Sequence, residues 1–163
     1  MIRPLVTHPD SRLRLPSRPV ARFDQSLRDL VADMVDTMHD ADGIGLAAVQ
    51  IGVHLQVAVM EVGDRPLRVL VNPQYDALGE PMTLEEGCLS LPGVRERSKT
   101  RVDWVRVRAM DLDGNPLEFE AEGLEAACVQ HECDHIRGRL YIDHLSAVRR
   151  QRLLRRYEAG RRR

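Results

Sequence analysis

The five residues His131-Glu132-Cys133-Asp134-His135 constrain this chain more than any other stretch. On a helix, residues four apart lie about 40° from one another and one turn along the same face. His131 and His135 can therefore aim two imidazoles at one metal ion. Glu132, beside the first of them, can reach a water molecule without becoming a ligand. The helix should run from Leu124 to Arg137 and stop at Gly138. Two histidines hold a divalent ion poorly, so a third protein ligand is needed. Cys88 is the best candidate, because it follows Gly87 at the end of an expected strand, where a thiolate can be aimed. A Cys-His-His set with its fourth position open is a catalytic arrangement; a closed set of four would be structural. Cys133 lies ~160° around the helix from the two histidines and should face the core. Cys128 shares their face one turn earlier and reads as pocket lining.

The rest of the chain must supply a body around that helix. Its 163 residues fit one domain, and with 43% apolar residues it can bury a real core. Three cysteines, an odd number, argue against a disulfide framework. No apolar run is long enough to span a membrane. The first residues lack the apolar stretch of a secretory signal, so a cytoplasmic location is expected. Leu27, Leu30, Val31, Met34, Val35 and Met38 form one apolar stripe on a helix over 24–41, with Asp24 as N-cap and Gly43 as the stop. Strands are expected over 55–62, 67–72, 82–90 and 104–110. Asp113-Gly114 should turn the last of these into a returning strand. There Arg106 and Arg108 would face Glu118, Glu120 and Glu122 across the hairpin. A third helix is expected over 146–158, capped by Ser146. Strands in runs, not alternating with helices, indicate an α+β fold.

Three segments carry a resemblance to a known family. GIGLAAVQ (43–50), EGCLS (86–90) and QHECDH (130–135) are similar to the motifs of peptide deformylases, in the same order and at the expected separations. Those enzymes remove the N-formyl group from the initiator methionine of nascent bacterial and organellar proteins. The resemblance runs from the first helix to about Ser146. It implies antiparallel sheets surrounding the histidine-bearing helix. It also implies one divalent metal ion, physiologically iron(II), replaceable by zinc, nickel or cobalt. Carried onto this chain, it makes Cys88, His131 and His135 the ligands and Glu132 the general base and acid. Gln50 and the Leu89 N–H become oxyanion donors, and Gly45 a backbone contact for the substrate peptide. Val49 stands where the family often has proline and Ile136 where it usually has leucine; neither touches the chemistry.

Helical spacing places Leu124, Ala127 and Cys128 beside the metal face. They would form an apolar floor for a methionine side chain or pack in the core. Ile44 and Leu89 are candidate walls. Arg95 would contact the substrate backbone or simply be solvated. Gln130 and Asp134 would orient a ligand histidine or pair with an arginine. His8, His39, His54 and His144 have no ligand-spaced partner and read as surface residues. A metallopeptidase would share the H-E-x-x-H motif, but His144 lies nine residues past His135, without the spacing of the extended zinc-protease motif. A non-enzymatic, metal-stabilised RNA-binding module would have no use for Glu132.

Charge divides the chain unevenly. Residues 149–163 contain eight arginines and one glutamate, a net +7 against −8 for residues 1–148. The expected organisation is a catalytic domain over 1–148 and an Arg-rich helical tail over 149–163. Leu153, Leu154 and Tyr157 would dock the tail, while Arg149, Arg152, Arg155 and Arg156 point outward. The outward stripe suits ribosomal RNA of the large subunit near the point where nascent formyl-methionine peptides emerge, an attachment that some members of the family also imply.

Overall fold

The computed structural model describes all 163 residues. Helix α1 spans Gln25–Asp40, and the Asp24 side chain accepts from the Leu27 N–H. Leu27, Val31, Met34 and Met38 are buried, while Leu30 and Val35 pack at the border of the same core. The stop is not Gly43. Asp42 takes the left-handed conformation, at φ +52°, and Gly43 N–H returns to the Met38 carbonyl.

Two antiparallel sheets follow. The first has five strands in the order β1 (Gly45–Ala47), β2 (Val57–Met60), β3 (Arg68–Ala77), β6 (Trp104–Met110) and β7 (Pro116–Glu122). The second pairs β4 (Pro81–Gly87) with β5 (Arg95–Val102). The strand expected over 55–62 is shorter than its sequence pattern. The one expected to end at Asn72 continues to Ala77 through an irregularity between Val71 and Gln74. Asn72 sits at that kink with φ +51°. Its amide side chain bonds both the N–H and the carbonyl of Val20, pinning the N-terminal segment to the sheet.

Strand β5 was not expected, because its sequence, RERSKTRV, is polar up to its last residue, Val102. Its inward residues include Glu96, Ser98 and Arg101, which are held by hydrogen bonds and ion pairs instead of apolar packing. In the β6–β7 hairpin Arg106 pairs with Glu120 as expected. Arg108 does not take its cross-strand neighbour Glu118; it reaches Asp76 on β3 at 2.6 Å.

Helix α2, Gly123–Ile136, packs against strands of both sheets and is buried along most of its length. Gly138, at φ +75°, ends this segment; a side chain there would strike the Arg14 carbonyl at 2.4 Å. A 3₁₀ turn over Tyr141–His144 leads to α3, Ala147–Arg161, where the Ser146 side chain caps Arg149 N–H.

Helix α3 is built into the body. Leu153 and Tyr157 are buried in a cluster with Leu91, Val94, Leu140 and Tyr141, and Tyr157 donates to the His8 carbonyl at 2.7 Å. The arginine stripe is divided. Arg152 and Arg155 are exposed without an ion pair, but Arg149 and Arg156 lie along the surface onto Glu96, at 2.5 and 3.0 Å. They also donate to the carbonyls of Arg97 and Arg95 on β5. Emptying the Leu153 site should therefore be felt by the whole fold. Leu153→Ala should cost about 2–5 kcal/mol in urea unfolding, while Arg152→Ala should stay within about 0.5 kcal/mol of the parent.

Candidate metal centre

Cys88 follows directly on β4, and its sulfur accepts from the Ser90 N–H at 3.4 Å. Helix α2 presents His131 and His135 to it on one face. Cys88 Sγ lies 3.3 Å from His135 Nε2, which lies 3.2 Å from His131 Nε2. All three donor atoms fall within 4.8 Å of one another. Tetrahedral coordination of a zinc-sized ion sets N···N and S···N edges of about 3.3–3.6 Å, so the spacing fits one ion.

The surrounding contacts support that fit. His131 Nδ1 meets the Glu86 carboxylate at 2.6 Å. A carboxylate acceptor places the His131 proton on Nδ1 and leaves the Nε2 lone pair facing its neighbours. Lone pairs on two imidazoles and a sulfur, converging at these distances, repel unless protons or a metal ion lie between them. Burial disfavours a Cys88 thiolate, but positive charge on the two imidazoles more than offsets this and brings the thiol down to about 5; a metal ion held there would supply that charge in place of their protons. Burial likewise works against charge on Glu86, yet His131 and Arg101 bring its carboxyl to about 2.

Glu132 points to the same place. Its side chain is 2% exposed, and Oε2 has no hydrogen-bond partner. Burial pushes its carboxyl above the usual range. Gly45 makes room for it: a Cβ there would lie 2.6 Å from Glu132 Oε1 and 2.7 Å from Cys128 Sγ.

The Gln50 amide is oriented by its neighbours. Its oxygen accepts from Ala47 N–H at 2.9 Å. Its NH2 group donates to Ser90 Oγ at 3.1 Å and faces Cys88 Sγ at 3.7 Å. Ser90 in turn donates to the Val6 carbonyl. The Leu89 N–H makes no hydrogen bond within the protein and is free to serve a ligand.

These groups line a cleft of about 730 Å³. Ile44, Gly45, Leu124, Ala127, Cys128 and Arg95 line it as well, so every site residue expected from the sequence lines this cleft except His135, which joins the site through its contacts with Cys88 and His131. Ala127 and Cys128 are buried at the floor, whereas Ile44 and Leu124 are exposed at the rim. Arg95 opens β5 and leans on Glu85, with Nε 3.9 Å from Oε1. Cys133 is buried in the core among Met60, Leu70 and Val105.

Other residues play parts that the sequence reading missed or left open. Arg101 is 3% exposed and holds Glu86 and Asp134, both at 2.7 Å. Asp134 thus pairs with an arginine. Gln130 closes the edge of β5 by bonding the N–H and carbonyl of Val102. His144 lies at the surface as expected, but its ring reaches inward and bonds Asp134 Oδ2 at 2.8 Å. Tyr141 stacks on the His131 ring, with centroids 6.0 Å apart. Glu86 had a signal in standing beside Gly87-Cys88. Arg101 had none among so many arginines.

Comparison with known proteins bears on the same residues. A peptide deformylase of Pseudomonas aeruginosa is 45% identical over 94% of this chain and 93% of its own length. Peptide deformylase 1 of Pseudomonas syringae pv. tomato is 47% identical over the same shares. The crystal structure of a peptide deformylase from Legionella pneumophila superimposes with a TM-score of 0.93 at 43% identity, covering 99% of this chain and 96% of that one. That from Ehrlichia chaffeensis in complex with actinonin also gives 0.93, at 37% identity and 99% of each chain. The model of the polypeptide deformylase family matches residues 2–151, a span holding the thiol, both histidines and Glu132, and the chain belongs to that family.

Proposed function

We propose that Cys88, His131 and His135 hold one divalent ion, iron(II) in the cell, and that Glu132, Gln50 and the Leu89 N–H carry the reaction of this family on it. The chain is a metal-dependent hydrolase that removes the formyl group from the N-terminal methionine of nascent polypeptides, releasing formate. The observation that carries the residue assignment is the convergence of three donor atoms beside a buried carboxylate, Glu132, whose Oε2 has no partner, at the head of a cleft.

A bound divalent ion supplies Lewis acidity to a water molecule and to the formyl carbonyl. Glu132 takes the proton of the attacking water and returns it to the departing nitrogen, so that the formyl C–N bond breaks and a free amine is left. The Gln50 NH2 group and the Leu89 N–H donate to the oxygen on which charge develops. Each such donor contributes about 3–4 kcal/mol in comparable sites. Ser90 keeps the Gln50 amide from rotating. The methionine side chain lies over Ala127 and Cys128, between Ile44 and Leu124. Strand β1 pairs only with β2, which leaves an edge beside Gly45 for an extended peptide. Arg95 is placed to meet that peptide's backbone.

Residues 1–148 form the catalytic part and 149–163 the segment that meets the ribosome. Arg150, Arg152, Arg155, Arg162 and Arg163 have no carboxylate partner, which supports contact with the RNA of the large subunit in the bacterial cytoplasm. No helix is long and apolar enough to cross a membrane.

The ligand assignment is checked by metal analysis. Cys88→Ala, His131→Ala and His135→Ala should each purify with little bound metal. Stoichiometric metal in Cys88→Ala would remove the thiol from the site. Glu132→Gln should keep its metal and lose about 10²–10⁴-fold in turnover; near-parental activity would overturn its role. If the native ion is iron(II) on a thiolate, activity should decay in air and persist anaerobically. The nickel form should tolerate air, so equal lifetimes would count against iron. For the tail, substitution is preferable to truncation, because Leu153 and Tyr157 belong to the core. Arg150, Arg152 and Arg155 replaced together by Gln should weaken co-sedimentation with ribosomes. The salt dependence should become shallower by about one unit of slope for each phosphate that is no longer neutralised. Unchanged sedimentation would leave the tail as a solvated face.

A further inference from the structure

A run of polar contacts, buried at its centre, begins at His131 and ends at His144 at the surface. His131 Nδ1 meets Glu86 at 2.6 Å. Glu86 accepts from Arg101 Nε and Nη2, the latter at 2.7 Å. Arg101 Nη1 donates to Asp134 Oδ2 at 2.7 Å, and the same oxygen takes His144 Nε2 at 2.8 Å. Of these five side chains His144, at 31% exposed, is the most open to solvent.

The order of these hydrogen bonds matters. Arg101 is one cation between two buried carboxylates, and its plane is set by where those carboxylates stand. Asp134 Oδ2 is held from two directions, by Arg101 and by His144. Without the second of these the oxygen keeps a single partner and lies open to water. Arg101 can then shift toward either acid, and the short Glu86–His131 bond loses its fixed anchor. The 3₁₀ turn that carries His144 also carries Tyr141, whose ring stacks on His131. One turn therefore grips the same imidazole directly and through three charged side chains.

We propose that His144 is a positioning residue for His131. By tethering Asp134 it orients Arg101, which holds Glu86, which fixes the His131 ring and keeps its proton on Nδ1. It touches neither substrate nor ion. The inference rests on the reading of His131 as a metal ligand.

The experiment compares the full chain with His144→Phe, which keeps a ring and loses the polar atom, and with His144→Gln, which keeps a donor. Each is loaded with cobalt(II). Metal loss to a chelator, the cobalt absorption spectrum, and kcat and KM on a formyl-Met peptide are measured. His144→Phe should lose metal about three- to thirtyfold faster. It should also show an altered cobalt spectrum and a lower kcat at nearly unchanged KM. His144→Gln should recover most of each. Asp143→Asn is the comparison for simple loosening, since Asp143 anchors the same turn through Leu140 N–H and Arg14 outside the network. It should lower the melting temperature without hastening metal loss. If His144→Phe does not fold, His144→Leu replaces it in the same comparison. The proposal is overturned if the apolar variant holds metal as the parent does. It is equally overturned if Gln fails to rescue, or if Asp143→Asn speeds metal loss as much. A parent chain that retains no cobalt would instead sink the metal reading itself.

Discussion

Arg101 joins the two-stranded sheet to the helix that carries the two histidines. It projects from β5, grips Glu86 on the neighbouring strand and Asp134 on α2, and does so almost out of contact with water. A guanidinium suits the task because its planar fork can serve two carboxylates in fixed directions. Removing one partner from such a buried set leaves a charge without compensation, which typically costs about 3–5 kcal/mol. Replacing the whole set with apolar side chains can be harmless for stability. What the ions provide here is direction: they fix where β4 ends relative to α2, and hence where the Cys88 sulfur stands relative to two imidazoles.

The elements with apolar periodicity were legible from the sequence. The α1 stripe, the β6–β7 hairpin and the α2 face follow from spacing alone, and the last of these located the metal centre. Cys88 was legible because a glycine break at a strand end is where a side chain can be aimed. Strand β5 was not, since its inward face is satisfied by ion pairs and carries no period-2 apolar signal. The end of α1 was misjudged by one residue because Asp42, not the nearby glycine, adopts the left-handed turn. His144 was set aside for want of a partner at ligand spacing, but its partner is a carboxylate on another element. Residues that act through a neighbour leave a weaker trace in sequence than residues that act in a motif.

The GIGLAA segment shows how small residues do chemical work. At Gly45 the absence of a side chain lets the Glu132 carboxylate and the Cys128 sulfur come up against the backbone of β1. An alanine would have to displace the Glu132 carboxylate itself. The requirement is therefore set by a buried carboxylate on another element, and it ties a strand of the five-stranded sheet to the middle of α2.

The two arginines that α3 turns onto β5 have a consequence for the outside of the molecule. A strand paired on one side only is a template for any extended polypeptide that drifts past. On β5, Arg149 and Arg156 occupy the carbonyls of residues 97 and 95 that such a visitor would need. The other outer strand, β7, opens with Pro116 and displays Glu118, Glu120 and Glu122, which discourage annealing. Strands β1 and β4, each with a partner on one side, line the cleft. An unfolded newcomer thus meets open hydrogen-bonding backbone chiefly along the cleft, at whose head the Cys88, His131 and His135 donors converge.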